Sequence, residues 1–144
     1  MITFLSITIF SILLLIALIH IVWALGSYWP AKDEQSLINT VIGSAKRSVM
    51  PAPFLIILVA IGIFGAGLCV LWGPELISLP FPEWIKQTSL ISLIIIFAAR
   101  GISTYLFVAP LVNRTEPFKT LDRQYFAPLC LLLSLGFYFI HSQS

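Results

Sequence analysis

Residues 2–25 read ITFLSITIFSILLLIALIHIVWAL, an apolar run without a single formal charge. A bilayer core of about 30 Å takes about 20 apolar helical residues, because in lipid only a helix or a closed barrel satisfies its own backbone. The run is long enough to cross, and longer than the apolar region of a signal peptide. Ala24, Leu25 and Gly26 form a small-x-small triplet, yet no lysine or arginine precedes Ile2. The segment is therefore expected to stay as a first membrane helix.

Outward from it, three more segments have the same character: residues 52–72, 87–112 and 125–141. The second follows Pro51 and carries Pro53, where a missing N–H suits the first turn of a helix. The third is apolar apart from Arg100 and its small polar neighbours. The fourth is the shortest and needs a turn from the residues before it. The whole chain of 144 residues is 59% hydrophobic and 10% charged, whereas soluble domains hold about 25% charged residues. The expected fold is all-α: one integral membrane domain over residues 1–144, built as a four-transmembrane-helix bundle. A net charge of +2 gives no reason to expect a nucleic-acid partner.

The charges that exist mark one side. Loops 26–50 and 113–124 hold Lys32, Lys46, Arg47, Arg114, Lys119 and Arg123, while the opposite side holds Lys86. By the positive-inside rule those two loops face the cytoplasm and both termini lie outside. Within the first loop Leu37, Ile38, Val41, Ile42 and Ala45 recur at helical spacing, with Asp33 and Glu34 before them and Lys46 and Arg47 after. This predicts a short amphipathic interfacial helix over about 35–47. In the second loop Pro80, Pro82 and Trp84 suggest a rigid turn with an aromatic anchor, and Glu75 and Glu83 are expected to be solvated. Gly62 and Ala66 stand four apart, the spacing that lets membrane helices approach closely.

Arg100 is the residue least at home in lipid. It lies about ten residues, or roughly 15 Å, from the cytoplasmic end of its span, and an intramembrane arginine costs at least about 2.5–3.5 kcal/mol. It should face the bundle and find partners. Ser103, Thr104 and Tyr105 follow it. His20 and Trp23 end the first span on the same side, and Asp122 and Tyr125 open the fourth. Topology thus points Arg100, His20, Trp23, Ser103, Thr104, Tyr105, Asp122 and Tyr125 toward one cytoplasmic half.

Two readings of that set compete. In one, Arg100 and His20 bond to backbone carbonyls and Asp122 caps the fourth helix, fixing how the helices sit. In the other, the arginine holds an anionic group within a cytoplasm-facing pocket. Acid–base catalysis by His20 and Asp122 is a weaker third. Cys69 and Cys130 differ in depth by about 18 Å on helix rise, too far for a disulfide. No Cys/His cluster has metal spacing, and no phosphate loop or nucleophile elbow occurs, so neither a metal nor a cofactor is expected.

His20, Trp23 and Gly26 close the first helix; Pro117 and Phe118 lead into Leu121, Asp122, Arg123, Gln124 and Tyr125; and Pro128-Leu-Cys-Leu-Leu-Leu completes the pattern. Together with the third-span arginine, these resemble a bacterial membrane family, domain of unknown function 3995, over nearly the whole chain. The family's first-helix motif often ends in two glycines, where this chain has Ser27. The resemblance implies four helices in a bacterial inner membrane and supplies no activity, substrate or cofactor. The leading expectation is a small binding or transport-type membrane protein centred on Arg100. It would take a small anionic or lipid-like ligand among membrane lipids, as a homo-oligomer or with a partner membrane subunit. A structural or accessory subunit of a larger membrane complex is the alternative. A membrane enzyme acting on a lipid-like substrate comes third, and the reading leans away from an enzyme.

Overall fold

The computed structural model describes residues 1–44, 48–106 and 114–144. Six α-helices lie among them: α1 (Ile2–Ala24), α2 (Glu34–Val41), α3 (Pro53–Trp72), α4 (Glu83–Tyr105), α5 (Phe118–Leu121) and α6 (Ala127–His141). A π-helical turn, Asp122–Phe126, joins α5 to α6 without a break. Four helical segments, Ile2–Ala24, Pro53–Trp72, Glu83–Tyr105 and Phe118–His141, are long and apolar enough to cross a membrane. The fold is an all-helical membrane bundle, as its charge-free runs predict.

The spans associate chiefly as two hairpins, α1 with α3 and α4 with α6. Their seam carries Ile9, Leu13, Ala66, Val70, Leu90, Leu133, Phe137 and Ile140. Lipid tails are as apolar as leucine, so it is close fit and interhelical bonding, not water exclusion, that holds such helices together. The fit is visible at Gly67, where a methyl group would stand 3.0 Å from the Phe10 ring. Bonding is visible at Ser134, whose hydroxyl crosses from α6 to donate to the Ile94 carbonyl at 2.9 Å. Ala66 is buried, whereas Gly62 faces outward with no atom within 4 Å of an added Cβ. The expected close approach therefore involves Ala66 and not Gly62 within this chain.

The element boundaries refine the expectations. The third span starts at Glu83, ahead of the expected position 87, because Pro82 is a natural helix entry and Glu83 suits the first turn. The remainder of that expected span, 107–112, lies outside the described residues, as do positions 45–47 of the expected interfacial helix. The fourth span gains more than a turn, beginning at Phe118.

Helix α2 forms where predicted, with the Asp33 carboxylate accepting from the Ser36 N–H at 2.7 Å as its N-cap. It stops early because Gly43 takes a left-handed backbone, φ +64°. Leu37 and Ile38 are fully covered by protein, so α2 closes the end of the bundle and meets α5 there. The Gly43 carbonyl accepts from the Thr115 N–H at 2.9 Å, beside an isolated antiparallel bridge between Ser44 and Arg114. The first and third loops are thereby tied together. A Cβ at Gly43 would overlap the Phe118 ring. Gly43→Ala should cost about 1–2 kcal/mol from backbone handedness alone, and amide exchange at Leu37 and Ile38 should quicken as α2 loosens.

At the opposite end Lys86 is buried and paired with Glu83 at 2.9 Å and Glu75 at 3.7 Å. Both glutamates are exposed, as expected, and the structure adds that each also pairs with Lys86. Their exposed carboxylates neutralise a lysine that the bundle covers. The turn between them rests on Trp72 and Phe81, ring centroids 6.2 Å apart.

Candidate functional site

The polar residues of the basic end divide into two groups. The first is built by α4 and the π turn. Arg100 forms an ion pair with Asp122 through Nη2 and Oδ1. Its Nη1 donates to Thr104 Oγ1 at 3.0 Å, and that hydroxyl in turn donates to Asp122 Oδ2 at 2.7 Å. Arg114 Nη1 approaches Asp122 Oδ2 at 3.5 Å, and its guanidinium lies 4.9 Å from the centroid of the Phe118 ring. Asp122 is 2% exposed, whereas the Arg100 and Arg114 side chains are 36% and 32% exposed. One buried carboxylate thus faces two guanidinium groups that are each about one-third open, a local charge of +1.

The local fold explains how Asp122 reaches that place. In a continuous α-helix the Pro128 ring would clash with the Gln124 carbonyl and leave it without a donor. The turn just before Pro128 is wider, closed by the Ala127 N–H on the Asp122 carbonyl, a pattern that shifts helix register. Asp122 therefore lies within a continuous helical unit and makes no side-chain cap hydrogen bond. The expectation that it caps the fourth helix is corrected: its carboxylate serves Arg100, Thr104 and Arg114. The helices can approach here because position 101 is glycine. A Cβ there would lie 2.6 Å from Leu131 Cγ and 3.0 Å from the Ala127 carbonyl oxygen.

Other expected members contribute less. Tyr105 donates its hydroxyl to the Arg123 carbonyl at 2.8 Å, a second strap between α4 and the π turn. Ser103 is exposed and bonds back to the Arg100 carbonyl at 2.8 Å. Tyr125 is 62% exposed and outside the cluster. Arg114 is the member that sequence reasoning missed, because it reads there only as a loop charge.

His20 and Trp23 form a separate group, which corrects the expectation of one shared site. They line a cleft of about 380 Å³ with residues of α2 and α3. His20 Nδ1 bonds to the Ile16 carbonyl at 2.8 Å, and the Trp23 indole N–H donates to the Trp29 carbonyl at 2.7 Å. His20 and Asp122 thus belong to different groups, which leaves the acid–base pairing without a shared geometry. Among the described residues no cluster of His, Cys, Asp and Glu has the makings of a metal site, and both cysteines are free thiols.

Comparison with known proteins gives one positive result. No curated protein and no solved structure matches the chain. The model of the family described as "Protein of unknown function (DUF3995)" matches residues 13–137, a stretch that takes in α3, α4, Arg100, Asp122 and the π turn. With that match covering well over half its length, the chain belongs to the DUF3995 family.

Proposed function

We propose that this protein binds the anionic headgroup of a membrane lipid, or a small lipid-like anion, at the two arginines that flank Asp122. The supporting observation is the charge imbalance: a single buried carboxylate is shared by two guanidinium groups, each about one-third open. Guanidinium N–H groups left over by Asp122 suit a phosphate or carboxylate, which they bond in a charge-assisted, fork-like manner. The lysines and arginines gathered at this end support a cytoplasmic orientation, and the cytoplasmic leaflet is where anionic headgroups attract basic residues; the membrane we propose is a bacterial inner membrane. Four short spans enclose little volume, so any role in moving the ligand calls for self-association or a partner subunit.

A second reading has its own support. Arg100 already satisfies Asp122 and Thr104, the geometry of a lock between α4 and the π turn, which fits a structural or accessory subunit. Two substitutions separate the readings. Arg114→Met removes the surplus charge and spares the ion pair between Arg100 and Asp122. Delipidated protein offered equal phosphatidylglycerol and phosphatidylcholine in mild detergent is then read by native mass spectrometry. The wild type is expected to retain phosphatidylglycerol preferentially, and folded Arg114→Met to lose that preference. A wild type without preference, or a variant that keeps it, refutes the binding reading. Arg100→Met that fails to fold or assemble supports the lock; a folded protein with unaltered lipid retention removes Arg100 from both readings.

A further inference from the structure

The cleft beside His20 has a different chemistry from the arginine cluster and contains none of its residues. Its walls include Trp23, Ile42, Met50, Pro51 and Val59, and among the described residues that line it His20 is the one ionisable side chain. A volume of about 380 Å³ falls within the usual range of small-molecule sites, roughly 300–1,000 Å³. Leu55 and Val59, on the same wall, are 44% and 49% exposed on the lipid-facing side of α3. These exposed apolar side chains form the mouth of the cleft, past which an apolar tail can leave.

The histidine's role follows from its tautomer. A backbone carbonyl only accepts, so the 2.8 Å contact between Nδ1 and the Ile16 oxygen requires the proton on Nδ1. In the neutral ring Nε2 is then an acceptor, and none of the described residues bonds to it. The Trp23 indole N–H is already engaged by the Trp29 carbonyl, so this indole offers its face and not its donor. The His20 and Trp23 rings pack against each other, centroids 5.0 Å apart at 53°, and so form one aromatic surface on which a flat ring can lie. The occupant that fits donates a hydrogen bond, lays a flat head on this aromatic surface, and carries an apolar remainder.

We propose that this cleft binds a membrane-dissolved, ring-hydroxylated amphiphile of the long-chain hydroquinone or phenol class, its hydroxyl donating to Nε2 of His20. The test uses decyl-hydroquinone and its dimethyl ether, which keeps ring and tail but cannot donate. Affinities are measured anaerobically on the whole protein in lipid nanodiscs. The hydroquinone is expected to bind about tenfold more tightly than the ether, the worth of one hydrogen bond of roughly 1.4 kcal/mol. His20→Phe keeps an aromatic ring and should erase that difference. Val59→Trp, on the lipid-facing surface where folding is least sensitive, should block the mouth and weaken both ligands. Equal affinity for the two ligands in the wild type overturns the proposal, as does binding of neither. So does a preference that survives His20→Phe, or binding undiminished in Val59→Trp should the histidine variant not fold.

Discussion

Asp122→Leu should be the most damaging single substitution in this protein, lowering stability by about 3–5 kcal/mol. The carboxylate is 2% exposed and holds Arg100, Thr104 and Arg114 together. Removing it leaves the guanidinium of Arg100 in a partly covered site with only the Thr104 hydroxyl. Unfolding in detergent, followed by circular dichroism, should show a midpoint roughly 10 °C lower. The cycle with Arg100→Met makes the argument sharper. If the cost is an unpaired charge, the double substitution removes the cause along with the pair and should recover much of the loss. A double variant no more stable than Asp122→Leu would show that the carboxylate matters for some reason other than its arginine.

Gly101→Val should do comparable damage by a steric route. Even a single methyl at this position meets Leu131 Cγ at 2.6 Å and the Ala127 carbonyl at 3.0 Å. The first contact is with a branch point and the second with backbone, and neither can swing away. Overpacking of this kind costs about 1–3 kcal/mol, and valine adds a second branch to the same gap. The consequence extends beyond stability, because position 101 is next to Arg100 and Ala127 closes the π turn that carries Asp122. Parting α4 from α6 here lengthens the distance across which the ion pair must reach. Loss of anionic-lipid preference together with a lower melting point is the expected result. Gly101→Val with wild-type melting would mean that the helices do not meet at this glycine.

Much of this architecture can be read without coordinates, for a simple reason. A charge-free run such as residues 2–25 has few fates other than crossing a bilayer, and the lysines and arginines of the loops group by side. What cannot be read is rotation. Helix α1 is apolar around its whole circumference, so no pattern says which face meets α3, and nothing in the sequence turns His20 toward α2 and α3 in preference to Arg100. Asp122 shows the second kind of gap. It was legible as a neighbour of Arg100 but not as its partner, because a residue at the start of a helix reads first as a cap. The π turn that re-aims it announces itself only through Pro128. Gly43 was a missed opportunity, since a glycine after a periodic run is an ordinary helix stop, yet the periodicity continues to Ala45 and hides it.

The pairing of α1 with α3 and of α4 with α6 also bears on how the chain comes to be folded. Each pair consists of spans adjacent in sequence, so its contacts close over short stretches of chain and can form early. The first hairpin can therefore form while the second is still being synthesised, so that membrane insertion can proceed in two self-contained steps. The seam, where Ile9 meets Gly136 and Ile140 meets Gly73, joins residues far apart in sequence and must close last. An assembly intermediate of two loosely docked hairpins is the natural late species of this pathway, and the seam glycines are where its final closure would be slowed.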